Sequence, residues 1–322
     1  MELPPPLRQA VDRALEGIRL SELSSAASAL SLRYREEVRD GRMHLDDERS
    51  ALAYLATRLP ATYAAARASF TALAEALPGF APTTMLDAGA GPGTALWAAS
   101  SLWPTLADAK MIEASPAIRA WGERLSTSLG LPEIQWRAAD IGRPGAVTTP
   151  RDLVTLCYVL DELAPDTRQR LVSELWAQTA GALVIVEPGT TKGWQRILAA
   201  RDQLLAAGAH IAAPCPHAAA CPLATPDWCH FSARVARSRI HRLAKDADVP
   251  WEDEKFIYLA ASRLSPPART ARVLAPPERA SGRVNLKLCR TDGSAAHRLV
   301  TRREGDAFKH ARRIGWGDRF EG

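Results

Sequence analysis

The chain has 322 residues, 47% hydrophobic and 24% charged, a soluble globular composition with ample length for a full core. No stretch approaches the ~20 uninterrupted apolar residues of a membrane span, and the opening "MELPPPLRQAVDRALEG" lacks the apolar heart of a signal peptide and carries early acids, so a cytosolic setting without a membrane partner is expected. The net charge of +5 is uneven: residues 231–322 hold 20 Lys+Arg against 11 Asp+Glu, and residues 1–230 hold 21 against 25, which points to a polyanion partner, nucleic acid first, for the C-terminal third.

Residues 5–77 read as helices. "LSSAASALSLRYREEV" and "ERSALAYLATRLPATYAAARASFTALAEAL" carry apolar residues at spacings of three and four, with Ala dominant. Pro60 interrupts the second stretch and starts a new helix. "PGFAPTT" is a breaker cluster that ends a helical region over 1–79. From residue 80 the pattern alternates. "TTMLDAG", "AKMIEAS", "EIQWRAAD", "DLVTLCYVLDEL" and "GALVIVEPG" are strands, and the stretches between most of them are helices. This is an α/β fold with a doubly wound, mainly parallel sheet over 80–210. Residues 211–322 form a cysteine-rich, basic lobe. "KFIYLAASR" and "RVNLKLCR" in that lobe supply late strands, and "LSPPARTARVLAPPERASG" is a Pro-rich connector.

"MLDAGAGPGT" is the sharpest enzymatic signal. A strand ends at Asp87, and Gly89, Gly91 and Gly93 line a turn that opens a helix. Glycine lets a ligand touch main chain. The spacing G-x-G-x-G after an acid differs from the dinucleotide fingerprint and resembles the first motif of class I S-adenosylmethionine-dependent methyltransferases. Glu113 ends the second strand, where a carboxylate can take both ribose hydroxyls. Asp140 ends the third, where it can face the adenine amino group. In "VLDEL", Asp161 and Glu162 are candidates to orient an acceptor or act as a base; the same acids suit a helix start. Cys157 lies in an apolar strand and reads as an inert core thiol.

Three of the five cysteines crowd into "APCPHAAACPLATPDWCHF". Cys215, Cys221 and Cys229 are spaced C-x5-C-x7-C, too open for the usual zinc knuckle. They need a fourth ligand, and Cys289 is the other cysteine outside the main strands. Four thiolates suit an iron–sulfur cluster and also suit zinc, with His217 and His230 as reserve ligands. Beside them runs a basic stretch with Arg234, Arg237, Arg239, Arg242 and Lys245, and a second set follows at Arg302, Arg303, Arg312 and Arg313. Arginine's planar fork suits phosphate.

"AYLATRLPATYAAA", "LDAGAGPGTALWA", "VIVEPGTTKGWQRILAARDQLL", "APCPHAAACPL", "DWCHFSARVARS", "EDEKFIYL" and "RIGWGD" together resemble the methyltransferase-like family of small-ribosomal-subunit assembly factors, which has mitochondrial and bacterial members. The resemblance runs from about residue 45 to 319. It implies a class I methyltransferase fold that binds S-adenosylmethionine. It also implies a 4Fe-4S cluster on Cys215, Cys221, Cys229 and Cys289. The expected partner is the maturing small ribosomal subunit and its rRNA, with a monomer off the ribosome. The expected activity is rRNA methylation, ribosome assembly, or both; the alternative is an inactive binding factor whose cofactor and metal sites are structural or regulatory.

Overall fold

The computed structural model describes residues 1–36, 43–146 and 149–321. Four helices come first: α1 (Pro5–Ala14), α2 (Leu20–Glu36), α3 (Glu48–Thr57) and α4 (Leu59–Ala76). The last two residues of the helix expected over 23–38 lie outside the described residues. Asp47 caps α3 by accepting from the Ser50 amide at 2.7 Å. The α3 ladder stops at Arg58 because Pro60, in the first turn of α4, has no N–H to continue it. Every α3 residue from Ala51 to Thr57 is buried, so this helix lies inside the molecule. One hydrophobic cluster runs from Leu7 in α1 to Ala261, joining the N-terminal helices to the central sheet.

The alternating segment then unfolds in order: β1 (Thr84–Ala88), α5 (Thr94–Ser100), β2 (Asp108–Ile112), α6 (Pro116–Ser126), β3 (Glu133–Arg137), β4 (Arg151–Cys157), α7 (Pro165–Ala177), β5 (Thr179–Pro188) and α8 (Thr191–Ala206). Next come β6 (His210–Ala213), β7 (Phe231–Ala236), α9 (Arg239–Ala244) and β8 (Trp251–Ser262). The sheet order is β3-β2-β1-β4-β5-β8-β6, with β7 also on β8. Strands β1 to β5 pair in parallel and β8 enters antiparallel. This is the class I methyltransferase type of sheet. The order reverses beside β1, between β2 and β4, and ligands of open α/β sheets bind at that crevice.

Strands β6 and β7 form one interrupted edge strand. Ala213 pairs with Ala260, and Phe231 pairs with Phe256 further along the same side of β8. Residues 214–230 leave the sheet between them. A second sheet follows, built from β9 (Ala271–Val273), β10 (Glu278–Ala280), β11 (Arg283–Cys289) and β12 (Ala295–Thr301). Helix α10 (Asp306–Ala311) and β13 (Arg319–Phe320) complete it. It has its own core, which includes Val273, Leu286, Leu288, Val300 and Phe308. The Pro-rich connector thus contains two short strands, and Cys289 closes a strand of this second sheet.

Candidate functional site

A cavity of about 580 Å³ opens at the switch point. Its floor is the turn after β1, where Gly89, Gly91 and Gly93 all have positive φ. Two of them have different reasons to be there. A Cβ at Gly89 would come within 2.6 Å of Val159, whereas one at Gly91 would meet nothing within 4 Å. Gly89 is demanded by packing, and Gly91 by its backbone angle beside open space. The Gly91 amide donates to Glu113 Oε2 and the Ser115 amide to Glu113 Oε1, both at 2.8 Å. Burial raises Glu113 above the usual carboxylate range, and these amide bonds pull the other way.

Asp87 lies beneath the loop, 2% exposed. Burial pushes it up to about 7, against the Thr155 hydroxyl, which donates to it at 2.6 Å. Asp140 lines the cavity and is half exposed; it accepts from the Gly142 amide at 2.8 Å and pairs with Arg143 at 3.5 Å. Asp161 and Glu162 sit in a single 3-10 turn after β4. Asp161 is buried. Glu162 lies at the rim with 37% of its side chain exposed, 3.9 Å from His44. Burial, then Asp161, push Glu162 up to about 8, although solvent at the rim tempers that push. The structure therefore brings Asp87, Glu113, Asp140, Asp161 and Glu162 around one cavity or directly under it.

Several cavity residues escaped the sequence reading. Tyr34 from α2, Tyr54 from α3 and Arg58 also line the cavity. The Arg58 guanidinium lies 6.0 Å from the ring centres of both Tyr34 and Tyr158 and 3.4 Å from Glu254. Tyr158, at the tip of β4, has φ 59° and donates its hydroxyl to Glu254 at 2.9 Å. Positive φ on an aromatic residue is strained, and such strain gathers at functional sites. That backbone angle is invisible in sequence. Cys157 packs against the core, as expected, and also lines this cavity, and burial holds its thiol well above the usual range.

The second site lies where residues 214–230 fold against α8 and the second sheet. Cys215, Cys221, Cys229 and Cys289 all line one largely apolar pocket. None is in a disulfide. Burial raises Cys229 and lifts Cys289 to about 12, and in both the neighbouring thiols add to it. His217 is buried here, with Nε2 3.3 Å from Cys289 Sγ. His230 stacks on Trp228 and meets Trp316 edge-on, and is not among the pocket's lining residues. Among the described residues, no three Cys, His, Asp or Glu side chains are drawn together at metal-holding separation.

Two buried arginines frame this pocket. Arg201, 1% exposed, donates to the carbonyls of His217 at 3.0 Å and Ala219 at 2.7 Å. Arg272 donates to the carbonyls of Pro214 at 3.1 Å and Gly317 at 2.8 Å. Arg201 had a sequence signal. It sits on the buried face of α8 with Trp194, Ile197 and Leu204, where an arginine is out of place unless it serves something inside.

The basic run divides between β7 and α9. Arg234 is exposed but pairs through two bonds with Asp253. Arg237 and Lys245 turn to Glu252 at 2.9 and 2.8 Å, and His241 stands 3.4 Å from the same acid. Burial opposes ionisation of Glu252, yet the bonds from His241 and Lys245 hold it well below the usual range. Arg239 is exposed and Arg242 half-buried, and no acid pairs with either among the described residues. Arg302, Arg303, Arg312 and Arg313 are all exposed around the second sheet.

A parallel sheet with this order, a glycine loop and an acid-lined crevice define a class I methyltransferase-type protein, here carrying a cysteine-rich lobe in its last edge strand. Residues 48–321 match the family described as mitochondrial small ribosomal subunit Rsm22, and the chain belongs to that family. It is 31% identical over 286 residues to the human "Ribosome assembly protein METTL17, mitochondrial", a match covering 83% of this chain and 62% of that protein. It is 22% identical to the mitochondrial Rsm22-cox11 tandem proteins 1 and 2 of Schizosaccharomyces pombe, over 73% of this chain and 38% of each. The chain thus spans under two thirds of the length of these relatives. Among solved structures, magnesium protoporphyrin IX methyltransferase from Synechocystis with bound SAH aligns at 14% identity and a TM-score of 0.41, over 73% of this chain and 94% of that one. The matches correct one expectation. The family description and all three relatives are mitochondrial, which overturns the cytosolic setting inferred from the opening residues.

Proposed function

We propose that this chain is an S-adenosylmethionine-binding assembly factor for the small ribosomal subunit, with a metal centre on four cysteines. The observation that carries the cofactor reading is Gly91, left-handed and facing open space, with Glu113 bonded beneath it. Gly91 would lie against the ligand, Glu113 would take the ribose hydroxyls, and Asp140 would face the adenine edge. When bound, the cofactor supplies an electrophilic methyl group.

The donor set suits an iron–sulfur cluster or zinc. Cys215, Cys221, Cys229 and Cys289 would hold it. Four thiolates give a cluster a net negative charge, and the buried guanidinium groups of Arg201 and Arg272 offer the compensating field. His217 keeps a zinc arrangement chemically reasonable.

Relatives named for ribosome assembly and for the mitochondrial small subunit support a maturing mitochondrial small subunit as the partner, with its rRNA as the surface met. Arg239, Arg242, Arg302, Arg303, Arg312 and Arg313 are the cations best placed to meet phosphate, with Arg234 available if Asp253 yields it. Arg237 and Lys245 hold Glu252 and shape the surface instead.

A second reading, rRNA methylation, is favoured by Glu162. A rim carboxyl pushed to about 8 can exchange a proton near neutral pH, with Asp161 behind it to orient an acceptor. Crosslinking the protein to RNA in cells, then mapping methylation at the bound position with and without the gene, tests both readings. A small-subunit rRNA contact without gene-dependent methylation supports the assembly factor. Gene-dependent methylation supports the enzyme, and no rRNA contact removes both.

A further inference from the structure

Helix α8 lays one face along the cysteine pocket. Trp194, Ile197, Leu198 and Arg201 line it, at the spacing of three and four that marks a single helical face. Trp194 and Arg201 are the polar members of that face, separated by about 10 Å along the helix axis. Both are buried, with 5% and 1% of their surface exposed.

Each carries a nitrogen left over from the protein's own bonding. Among the described residues, no oxygen or nitrogen takes the N–H of Trp194 Nε1 or of Arg201 Nε. The rest of the Arg201 guanidinium is engaged. Nη1 donates to Asp202 at 3.3 Å, and Nη2 donates to the His217 and Ala219 carbonyls. Those carbonyls belong to the same excursion as Cys215 and Cys221, so that segment fixes the guanidinium beside the thiols. Burial raises the Cys215 thiol, and Arg201 opposes that rise through its charge and a hydrogen bond.

Buried donors are nearly always paired, and an exception needs a reason. The lining of this pocket has no carboxylate and no side-chain amide. Its side-chain acceptors are the four sulfurs, the Tyr258 hydroxyl and the His217 imidazole. A thiol sulfur accepts hydrogen bonds weakly, whereas an ionised acceptor binds a donor about twice as strongly. We propose that Trp194 and Arg201 donate to the sulfur of the metal centre on the four cysteines, and that these bonds set how readily the centre holds extra negative charge. Both roles rest on the metal-centre reading above. Neither residue supplies a ligand bond, and neither gains nor loses an electron or a proton, so both are positioning residues. Hydrogen bonds to sulfur are among the factors that set the reduction potential of an iron–sulfur centre.

The full chain is purified anaerobically with its metal, and iron, sulfide and zinc are measured. Its midpoint potential is then found by titration with dithionite, followed by visible absorption. Trp194→Phe removes the N–H and keeps an aromatic ring in place. Losing one bond to an anionic sulfur should shift the reduction equilibrium about tenfold against the reduced form, a fall of about 59 mV for one electron, with iron content unchanged. Arg201→Lys keeps a cation but loses Nε–H, and should move the potential the same way; circular dichroism checks that both variants fold, and Trp194→Phe decides alone if the second does not. A parent potential in folded, iron-loaded Trp194→Phe overturns the proposal and leaves the metal centre standing. Lower iron content at an unchanged potential also overturns it, because a merely structural role has that signature. Zinc without iron in the parent overturns it while keeping a four-cysteine metal site, and a parent without metal removes both readings.

Discussion

The glycine loop and its acids come from residues 87–93 and 113, while the cysteine pocket draws on residues 201 to 289. The first is chiefly a backbone device. Its turn presents an open Cα at Gly91, and one carboxylate beneath it takes two amide bonds. The second is a side-chain device. Four thiols and two guanidinium groups from α8, the 214–230 excursion and the second sheet meet in an apolar pocket. A backbone site can exist before its ligand arrives, because main-chain geometry is set by the sheet. A side-chain site of buried thiols is unfavourable as thiolate until a cation joins it, since burial and neighbouring sulfurs push the same way. The two halves should therefore respond differently to loss of their ligands.

The largest effect is expected in the side-chain half. Cys221→Ser should lose bound metal, lose the broad visible absorption of a cluster, and become protease-sensitive beyond residue 210, because ligand bonds there contribute directly to folding. Iron analysis and limited proteolysis check this. Stoichiometric zinc without iron in anaerobically purified protein would replace the cluster with the zinc alternative. The backbone half should keep its fold when its cofactor is removed, and a chain that unfolds without S-adenosylmethionine would break the contrast.

The next effect is a pH dependence under the glycine loop. Asp87 titrates near 7 in the folded chain and near 3.9 unfolded. A raised folded value means that its stabilising contribution is full below about pH 4 and is lost as pH rises through 7. Asp87→Asn removes that loss. Urea unfolding of both proteins at pH 5 and pH 8 should show the parent losing on the order of 3 kcal/mol relative to the variant. Equal changes in the two proteins would mean that Asp87 does not titrate near 7 in the folded chain. Gly91→Arg comes third. It fills the open space above the loop and puts a side chain on a left-handed backbone. Cofactor affinity by calorimetry should fall roughly hundredfold, about 2.7 kcal/mol, with the metal content unchanged.

The smallest effect belongs to the surface between the halves. Arg239→Glu should weaken binding of a small-subunit RNA fragment several-fold and flatten its log–log salt slope by roughly 0.7 for each phosphate that is no longer neutralised. Arg237→Glu should instead lower the melting temperature, because Glu252 exchanges a partner for a like charge. If Arg237→Glu weakens RNA binding as much as Arg239→Glu and leaves stability alone, the division of the basic run is wrong.

Legibility in sequence followed the same divide. The loop, the strand-end acids and the alternation of strands and helices were readable because each is a local pattern of fewer than about fifteen residues. The cysteines were readable as a group through their rarity and their neighbours. Partnerships across the chain were not. Nothing near Arg237 says that Glu252 will neutralise it, or that Arg58, Tyr158 and Glu254 will meet across 196 residues of chain. Tyr158 and Cys157 read as apolar strand because the end of a buried strand looks like its middle, although that end opens onto the cavity. The strands of the second sheet were mostly missed because β9 and β10 are three residues each and flanked by prolines.

The interrupted edge strand has a consequence for how this lobe can be gained or lost. Ala213 and Phe231 pair with Ala260 and Phe256 on β8, so only the stretch opposite residues 257–259 separates the ends of β6 and β7. The 214–230 excursion is a cassette spliced into an edge strand that resumes on the same side of β8, after a bulge between Ile211 and Ala213. Replacing it with about three residues of extended chain should restore an unbroken edge, since strand partners advance one for one. The methyltransferase-type sheet would then be a host that tolerates excision, and the cysteine lobe a graft whose attachment points were already in line.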